Sequence, residues 1–186
     1  MEEQKLFMLL LGCKPKGRHT EQHDIFFTIG SSLADIKPQI QAFWPDGGKI
    51  HIDAWRIVEN VDGKRIAVNP LLSASKKDSE KLFFLNLGGY KPNVFEEFHY
   101  KMLVIAKNKT EAIRKAKASA FYLHTGFKGA ASHIDDQYGI DVDDTYEVTE
   151  ILPQQIKNNY RISITDSEQP IEDEWHLGYQ PLSKIK

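Results

Sequence analysis

Two Glu-x-His pairs, at 21–23 and 97–99, and two His-x-Asp pairs, at 51–53 and 133–135, contain side chains that could do chemistry. In an extended strand, residues i and i+2 lie on one face with their Cβ atoms about 6.5–7 Å apart. If the strands of one half are neighbours, each half gathers two imidazoles and two carboxylates. Such a set suits Zn, Mn or Fe, and it could also transfer protons. The candidate residues are Glu21, His23, His51, Asp53, Glu97, His99, His133 and Asp135.

Two other interpretations of these residues stay open. Glutamate and histidine at the start of a strand commonly hydrogen-bond to each other or to a long loop, and would then hold the connection between Gly12 and His23 in place. Each His-Ile-Asp segment would be a strand start with an aspartate that closes a turn. Recognition of an unknown ligand is the third interpretation. The sequence favours loop fixing over metal or acid–base chemistry, because convergence of the side chains cannot be derived from spacing.

Other residues with reactive side chains have weaker patterns. Cys13 lies near His19 and His23, an arrangement that could serve nucleophilic catalysis. The matching position of the other half is Gly89, however, and a cysteine after a buried strand is typically a small packed residue. The loop at 14–19 is basic, but its counterpart is not, so we do not expect paired phosphate sites.

An internal repeat relates the two groups of candidate residues. KLFMLLLG begins at Lys5 and KLFFLNLG at Lys81, and each is followed by Lys-Pro, Glu and His in the same order. Apolar residues then recur at helical spacing over 31–44 and 107–122. After each His-Ile-Asp, two alternating segments predict a hairpin, YEVTEI with YRISIT in the second half. Such self-similarity predicts a duplicated supersecondary unit.

The predicted fold class is α+β, with two internally repeated β-β-α-β-β units, antiparallel or mixed sheets, and a pseudo-twofold arrangement. The runs LFMLLL and LFFLNL are apolar on both faces, which predicts central strands, whereas the hairpins are predicted nearer an edge. The predicted boundaries are 1–72 for the first repeat unit, 73–80 for a linker, 81–165 for the second repeat unit and 166–186 for an irregular C-terminal tail.

Composition narrows the range of partners. The chain has 24 Lys and Arg against 26 Asp and Glu, a formal net charge of -2, so nucleic acid is not an expected partner. The longest apolar runs are far shorter than the ~18 residues of a membrane span, and no membrane association is expected. The single cysteine fits a reducing compartment, which predicts a cytoplasmic protein. A homodimer is compatible with the sequence.

The repeated LxLG, Lys-Pro and Glu-x-His pattern is followed by Phe-Trp-Pro at 43–45 and His-Ile-Asp-x-Trp at 51–55. This combination resembles the bacterial domain of unknown function numbered 1543, over roughly residues 5–60 and 81–150. The resemblance implies a two-copy member of an uncharacterised family, and it supplies no catalytic residue, substrate or cofactor. The second copy differs by Gly89 in place of Cys13 and Gln137 in place of Trp55.

These observations favour a non-catalytic module that binds a small molecule or a protein in the groove between its repeats. The alternative is a metal-dependent or acid–base enzyme that uses the repeated Glu-x-His and His-x-Asp residues, with a divalent metal as its cofactor. The distance between His23 and His51, and that between His99 and His133, separates the two hypotheses.

Overall fold

The chain folds into two compact units, Met1–Lys76 with Ile151–Lys186, and Lys77–Glu150. The structure is a computed structural model that describes residues 2–72, 79–90, 93–124, 141–168 and 171–185. The strands are β1 Lys5–Cys13, β2 Gln22–Gly30, β3 His51–Ile57, β4 Asn60–Val61, β5 Lys64–Pro70, β6 Lys81–Tyr90, β7 Glu97–Ala106, β8 Asp141–Glu147, β9 Tyr160–Asp166 and β10 His176–Pro181. The helices are α1 Leu33–Phe43, α2 Lys109–His124, α3 Val148–Ile151 and α4 Gln154–Asn159. All strand pairs in the described ranges are antiparallel, which confirms the α+β class.

The main sheet of the first unit has the strand order β10-β3-β1-β2. Strand β1 has neighbours on both sides, which explains why its sequence is apolar throughout. Alternate residues of β1 from Phe7 to Cys13 pack with Ile36 and Ile40 of α1 in a buried core. Helix α1 begins after Ser32, whose side chain accepts a hydrogen bond from the backbone N–H three residues later. The site-bearing sheet is thus anchored by one face to a helix.

The second unit contains the strand order β7-β6-β8, with β6 in the centre as predicted. Phe83, Leu85 and Leu87 of β6 pack against Ala112 and Ala116 of α2. The two small alanines let the helix approach the sheet closely. As in the first unit, the helix covers the face formed by the odd-numbered residues of the central strand.

The two predicted hairpins differ from the structure. In the first half, Asp62 and Gly63 have left-handed φ values of 53° and 72°, as a two-residue turn requires, but they join only the short β4 to β5. In the second half, α3 and α4 separate β8 from β9, and β9 pairs with β5 instead. The predicted strand pairing was wrong for most of the first hairpin and for the whole of the second, because alternation identifies a strand without identifying its partner.

The C-terminal segment is regular rather than irregular. Strand β10 pairs with β3, where His176 lies opposite Trp55 and the two rings stack at 3.8 Å. Beyond β10, Leu182 and Ile185 are buried in the α1 core. The predicted tail is therefore part of the first unit, and a register shift with a positive φ at Gly178 hides the strand's period. Within the described ranges, no helix is long and apolar enough to cross a membrane.

Candidate functional site

A glycine forms the floor of the candidate site in the first unit. Gly12 in β1 lies opposite His23 in β2 and opposite His51 in β3. Residues directly opposite in antiparallel strands share a face. The imidazoles of His23 and His51 therefore lie on the same face of the sheet, one on each side of Gly12, which has no side chain. This face is the one opposite α1. The register thus brings together the histidines of the Glu-x-His and His-x-Asp segments, as the metal hypothesis requires.

A β-bulge adds a carboxylate to the same place. The register of β1 against β3 shifts between Leu10 and Leu11, which leaves Asp53 as the extra residue. A bulge redirects the side chain of the extra residue. Asp53 consequently turns toward Gly12, where a Cβ would lie only 2.6 Å from its Oδ2 and would overlap Nε2 of His51. Gly12 is needed here because the two side chains occupy the space of its missing one.

The four side chains converge closely. Nε2 of His23 lies 3.3 Å from Oδ2 of Asp53 and 3.8 Å from Oε2 of Glu21. Nε2 of His51 lies 3.3 Å from Oδ1 of Asp53 and 3.2 Å from Oε1 of Glu21. Each carboxylate therefore turns one oxygen toward each imidazole. Glu21, just before β2, is about half-exposed, whereas the side chain of His51 is only 5% exposed.

The contacts do not have hydrogen-bond geometry. Nε2 of His51 and Oδ2 of Asp53 are buried, and neither has a hydrogen-bond partner. The ring of Tyr179 in β10 lies 4.4 Å from that of His51 and helps to bury it. A buried polar atom without a partner is costly. This observation disfavours the loop-fixing interpretation, which depends on hydrogen bonds between these groups.

The distances match the requirements of a metal ion. Ligand atoms of Glu21, His23 and His51 all lie within 4.8 Å of one another. Tetrahedral Zn²⁺ with bonds of about 2.0–2.2 Å places neighbouring ligand atoms roughly 3.3–3.5 Å apart. Three of the four measured nitrogen–oxygen contacts, at 3.2 to 3.3 Å, fall close to this spacing. The arrangement can hold a dication with only small movements of the side chains.

The second unit contains a related cluster of Glu97, His99 and Asp143. Nε2 of His99 lies 3.8 Å from Glu97 Oε2 and 3.3 Å from Asp143 Oδ2. A bulge between Asn86 and Leu87 makes Asp143 the extra residue, and its carboxylate covers Gly88. The residue of β8 opposite Gly88 is Asp141.

The prediction from sequence did not place Asp143 in the cluster. It matched His133 and Asp135 to the first half by letter identity, and both lie outside the described residues. The segment Asp141-Val-Asp143 has the same i, i+2 spacing as His-Ile-Asp and stands at the start of an alternating strand. Strand position, rather than residue identity, was the signal that could have found it.

Cys13 and the basic loop at 14–19 do not belong to the cluster, although the loop borders a cavity that His23 also lines. Cys13 is buried in the α1 core, on the opposite face of the sheet, and burial is the main cause that raises the pKa of its thiol, with Asp46 adding to it. A raised pKa disfavours the reactive thiolate. The basic loop borders a cavity of about 320 Å³. Its lining includes Lys16, Arg18, Gln22, His23, Asp24 and Trp44. Because Gln22 and Asp24 alternate with His23 along β2, they point to the other face.

Fold and site together define an α+β protein with histidine–carboxylate clusters on its sheets. Residues 18–68 match the family described as Domain of Unknown Function (DUF1543), which supports the resemblance inferred from the sequence over that part of the chain. The crystal structure of protein Il1583 from Idiomarina loihiensis is similar, with a TM-score of 0.60 and 23% identity over 98% of this chain and 99% of that one. A likeness at this identity shows a shared fold. No curated protein matches the chain.

Proposed function

We propose that the protein binds a divalent transition-metal ion in its first unit, with Zn²⁺ as the best match. The ligands are His23, His51, Asp53 and Glu21. The main support is His51, whose buried Nε2 faces two carboxylates at 3.2 and 3.3 Å without making a hydrogen bond. A dication between these groups would satisfy the nitrogen and offset the negative charges of the carboxylates. Two imidazoles with two carboxylates form a borderline ligand set that suits Zn²⁺ better than Mg²⁺ or Ca²⁺.

The four residues have different roles in this proposal. His51 and Asp53 are held on β3 by the bulge and by the ring of Tyr179, so they form the rigid half of the site. His23 is held by the register of β2. Glu21 precedes β2 and is about half-exposed, so it completes the coordination from the solvent side.

We retain a binding module as the primary function, with the metal ion as its ligand. Metal-dependent hydrolysis is a second candidate, and the exposure of Glu21 favours it. Catalytic zinc sites keep one position open for water or substrate, whereas structural sites are closed. Displacement of Glu21 would open such a position. A small-molecule or protein partner, a homodimer and a cytoplasmic location stay predictions.

We also propose that the second unit is a copy of the first, as the repeated sequence suggests. Three features support this: the strand orders β2-β1-β3 and β7-β6-β8, the bulge at the same position, and the glycine that lies opposite a histidine in each. The distances from the histidine to the carboxylates, 3.8 and 3.3 Å, also agree between the units. If the units are copies, they have diverged at the second residue opposite the glycine, which is His51 in the first unit and Asp141 in the second.

Zinc titration of the untagged, metal-free protein tests the proposal. We expect tight binding of Zn²⁺ that His23→Gln weakens by at least about tenfold, since even outer-shell partners of a metal are worth about 10- to 100-fold in affinity. His19→Gln is the matched control, because His19 is exposed on the neighbouring loop and outside the cluster. Equal Zn²⁺ affinity in wild type and His23→Gln, or equal losses in both variants, would contradict the proposal.

A further inference from the structure

The two clusters differ in the residue opposite the glycine. In the first unit it is His51, which supplies a second imidazole. In the second unit it is Asp141, so the sequence offers another carboxylate at that register position. Among the residues that the structure describes, the second cluster thus has one imidazole, His99, and is otherwise composed of acidic residues. Its three ligating residues are all exposed, whereas the first cluster includes the buried His51.

The cross-strand row next to each cluster also differs between the units, and again the second unit has the more polar residues. Beside the first cluster, Leu10 lies between Ile25 and Ala54, and the row is apolar. Beside the second cluster, Asn86 lies between Lys101 and Asp144. These rows share the face of the clusters, because they are two residues along the central strand.

One atom of the polar row lacks a hydrogen-bond partner among the described residues. Oδ1 of Asn86 is buried without a hydrogen-bond partner, although its amide nitrogen donates to Asp144 at 3.4 Å. An unpartnered carbonyl oxygen next to the cluster can accept a hydrogen bond from an ordered water. The first unit has no equivalent, since Leu10 stands in that place.

We infer that the second unit binds a different ion, a partly hydrated Mn²⁺, through His99, Glu97 and Asp143. The inference rests on the proposed function and extends it from one metal site to two sites of different selectivity. Carboxylates and water suit Mg²⁺ and Mn²⁺, and the single imidazole favours Mn²⁺ of these two. Asn86 accepts a hydrogen bond from metal-bound water, a role for which the apolar row of the first unit offers no group.

Competition between the two metals on the full chain tests this inference. The metal-free protein is first loaded with one equivalent of Zn²⁺, and Mn²⁺ is then titrated while the free ion is followed by electron paramagnetic resonance. We expect His99→Gln to weaken Mn²⁺ binding by at least about tenfold. His23→Gln, the matched change in the first unit, leaves Mn²⁺ binding intact when this variant is titrated without prior Zn²⁺. Asn86→Leu, which copies the first unit, weakens Mn²⁺ but not Zn²⁺.

A gain-of-function variant makes the test independent of folding defects. Asp141→His gives the second unit the ligand types of the first, and we expect its Zn²⁺ affinity to rise at least about tenfold. Mn²⁺ binding that is insensitive to His99→Gln, or no gain of Zn²⁺ affinity in Asp141→His, overturns the inference. If Zn²⁺ binding fails to depend on His23 while Mn²⁺ still depends on His99, only the function proposed for the first unit is overturned.

Discussion

Gly12→Ala places one methyl group at the centre of the first cluster. The new Cβ would overlap Nε2 of His51 and lie 2.6 Å from Oδ2 of Asp53. Ordinary van der Waals contact begins at about 3.4 Å, so the carboxylate must retreat by roughly 0.8 Å. Metal–ligand distances tolerate deviations of about 0.2 Å. The substitution therefore displaces two ligands well beyond that tolerance.

We expect Gly12→Ala to reduce Zn²⁺ affinity by at least about 10- to 100-fold, the loss seen when less central groups of a metal site are changed. The metal-free protein should lose about 1–3 kcal/mol of unfolding free energy through overpacking, offset in part because alanine is better than glycine in a strand. Zinc titration measures the first effect, and urea unfolding of the metal-free protein measures the second.

Gly88→Ala is the matched control, because the three atoms nearest to its Cβ all belong to Asp143 of the other cluster. It should leave the Zn²⁺ affinity of the first unit unchanged. If Gly12→Ala binds Zn²⁺ as tightly as wild type, His51 and Asp53 are not the Zn²⁺ ligands. Their displacement by the new methyl group would then have had no effect on binding.

Two further predictions concern residues outside the clusters. Asp173, whose side chain is 2% exposed, pairs with Arg56 and accepts hydrogen bonds from two backbone N–H groups. Asp173→Ala should cost about 3–5 kcal/mol in urea unfolding, because it removes the carboxylate from a buried ion pair and takes the acceptor from both N–H groups. The exposed neighbour provides the control, as Glu174→Ala should change little, and equal effects would count against a buried pair. Burial raises the pKa of the Cys13 thiol, so the thiolate fraction at a given pH is lowered; iodoacetamide should label Cys13 slowly at pH 8 and rapidly after unfolding, and fast labelling of the folded protein would contradict this.

Local patterns in the sequence were enough for part of the fold. Both runs that are apolar on each face became central strands, β1 and β6. Both segments with helical spacing became helices, α1 and α2. These features depend on the burial of one strand or one helix face, which residue types record directly.

The pairing of strands that are distant in the chain could not be predicted from such local patterns. Strand β9 pairs with β5, and β10 pairs with β3, between residues at least 90 positions apart in the chain. Neither pairing changes the alternation of the strands involved, because a strand presents the same period to any partner. For that reason the hairpin of the second half and the irregular tail were wrong predictions.

Residue types and their spacing were enough to identify residues that could serve a site: the repeated Glu-x-His pairs and the His-Ile-Asp segment that ends at Asp53. Spacing of two in a strand fixes that such pairs share a face, whatever the fold. Their convergence depends on the folded sheet, because it requires the register that places His23 and His51 opposite Gly12. It also required the bulges that redirect Asp53 and Asp143, because one extra residue in a strand pair is defined by the partner strand.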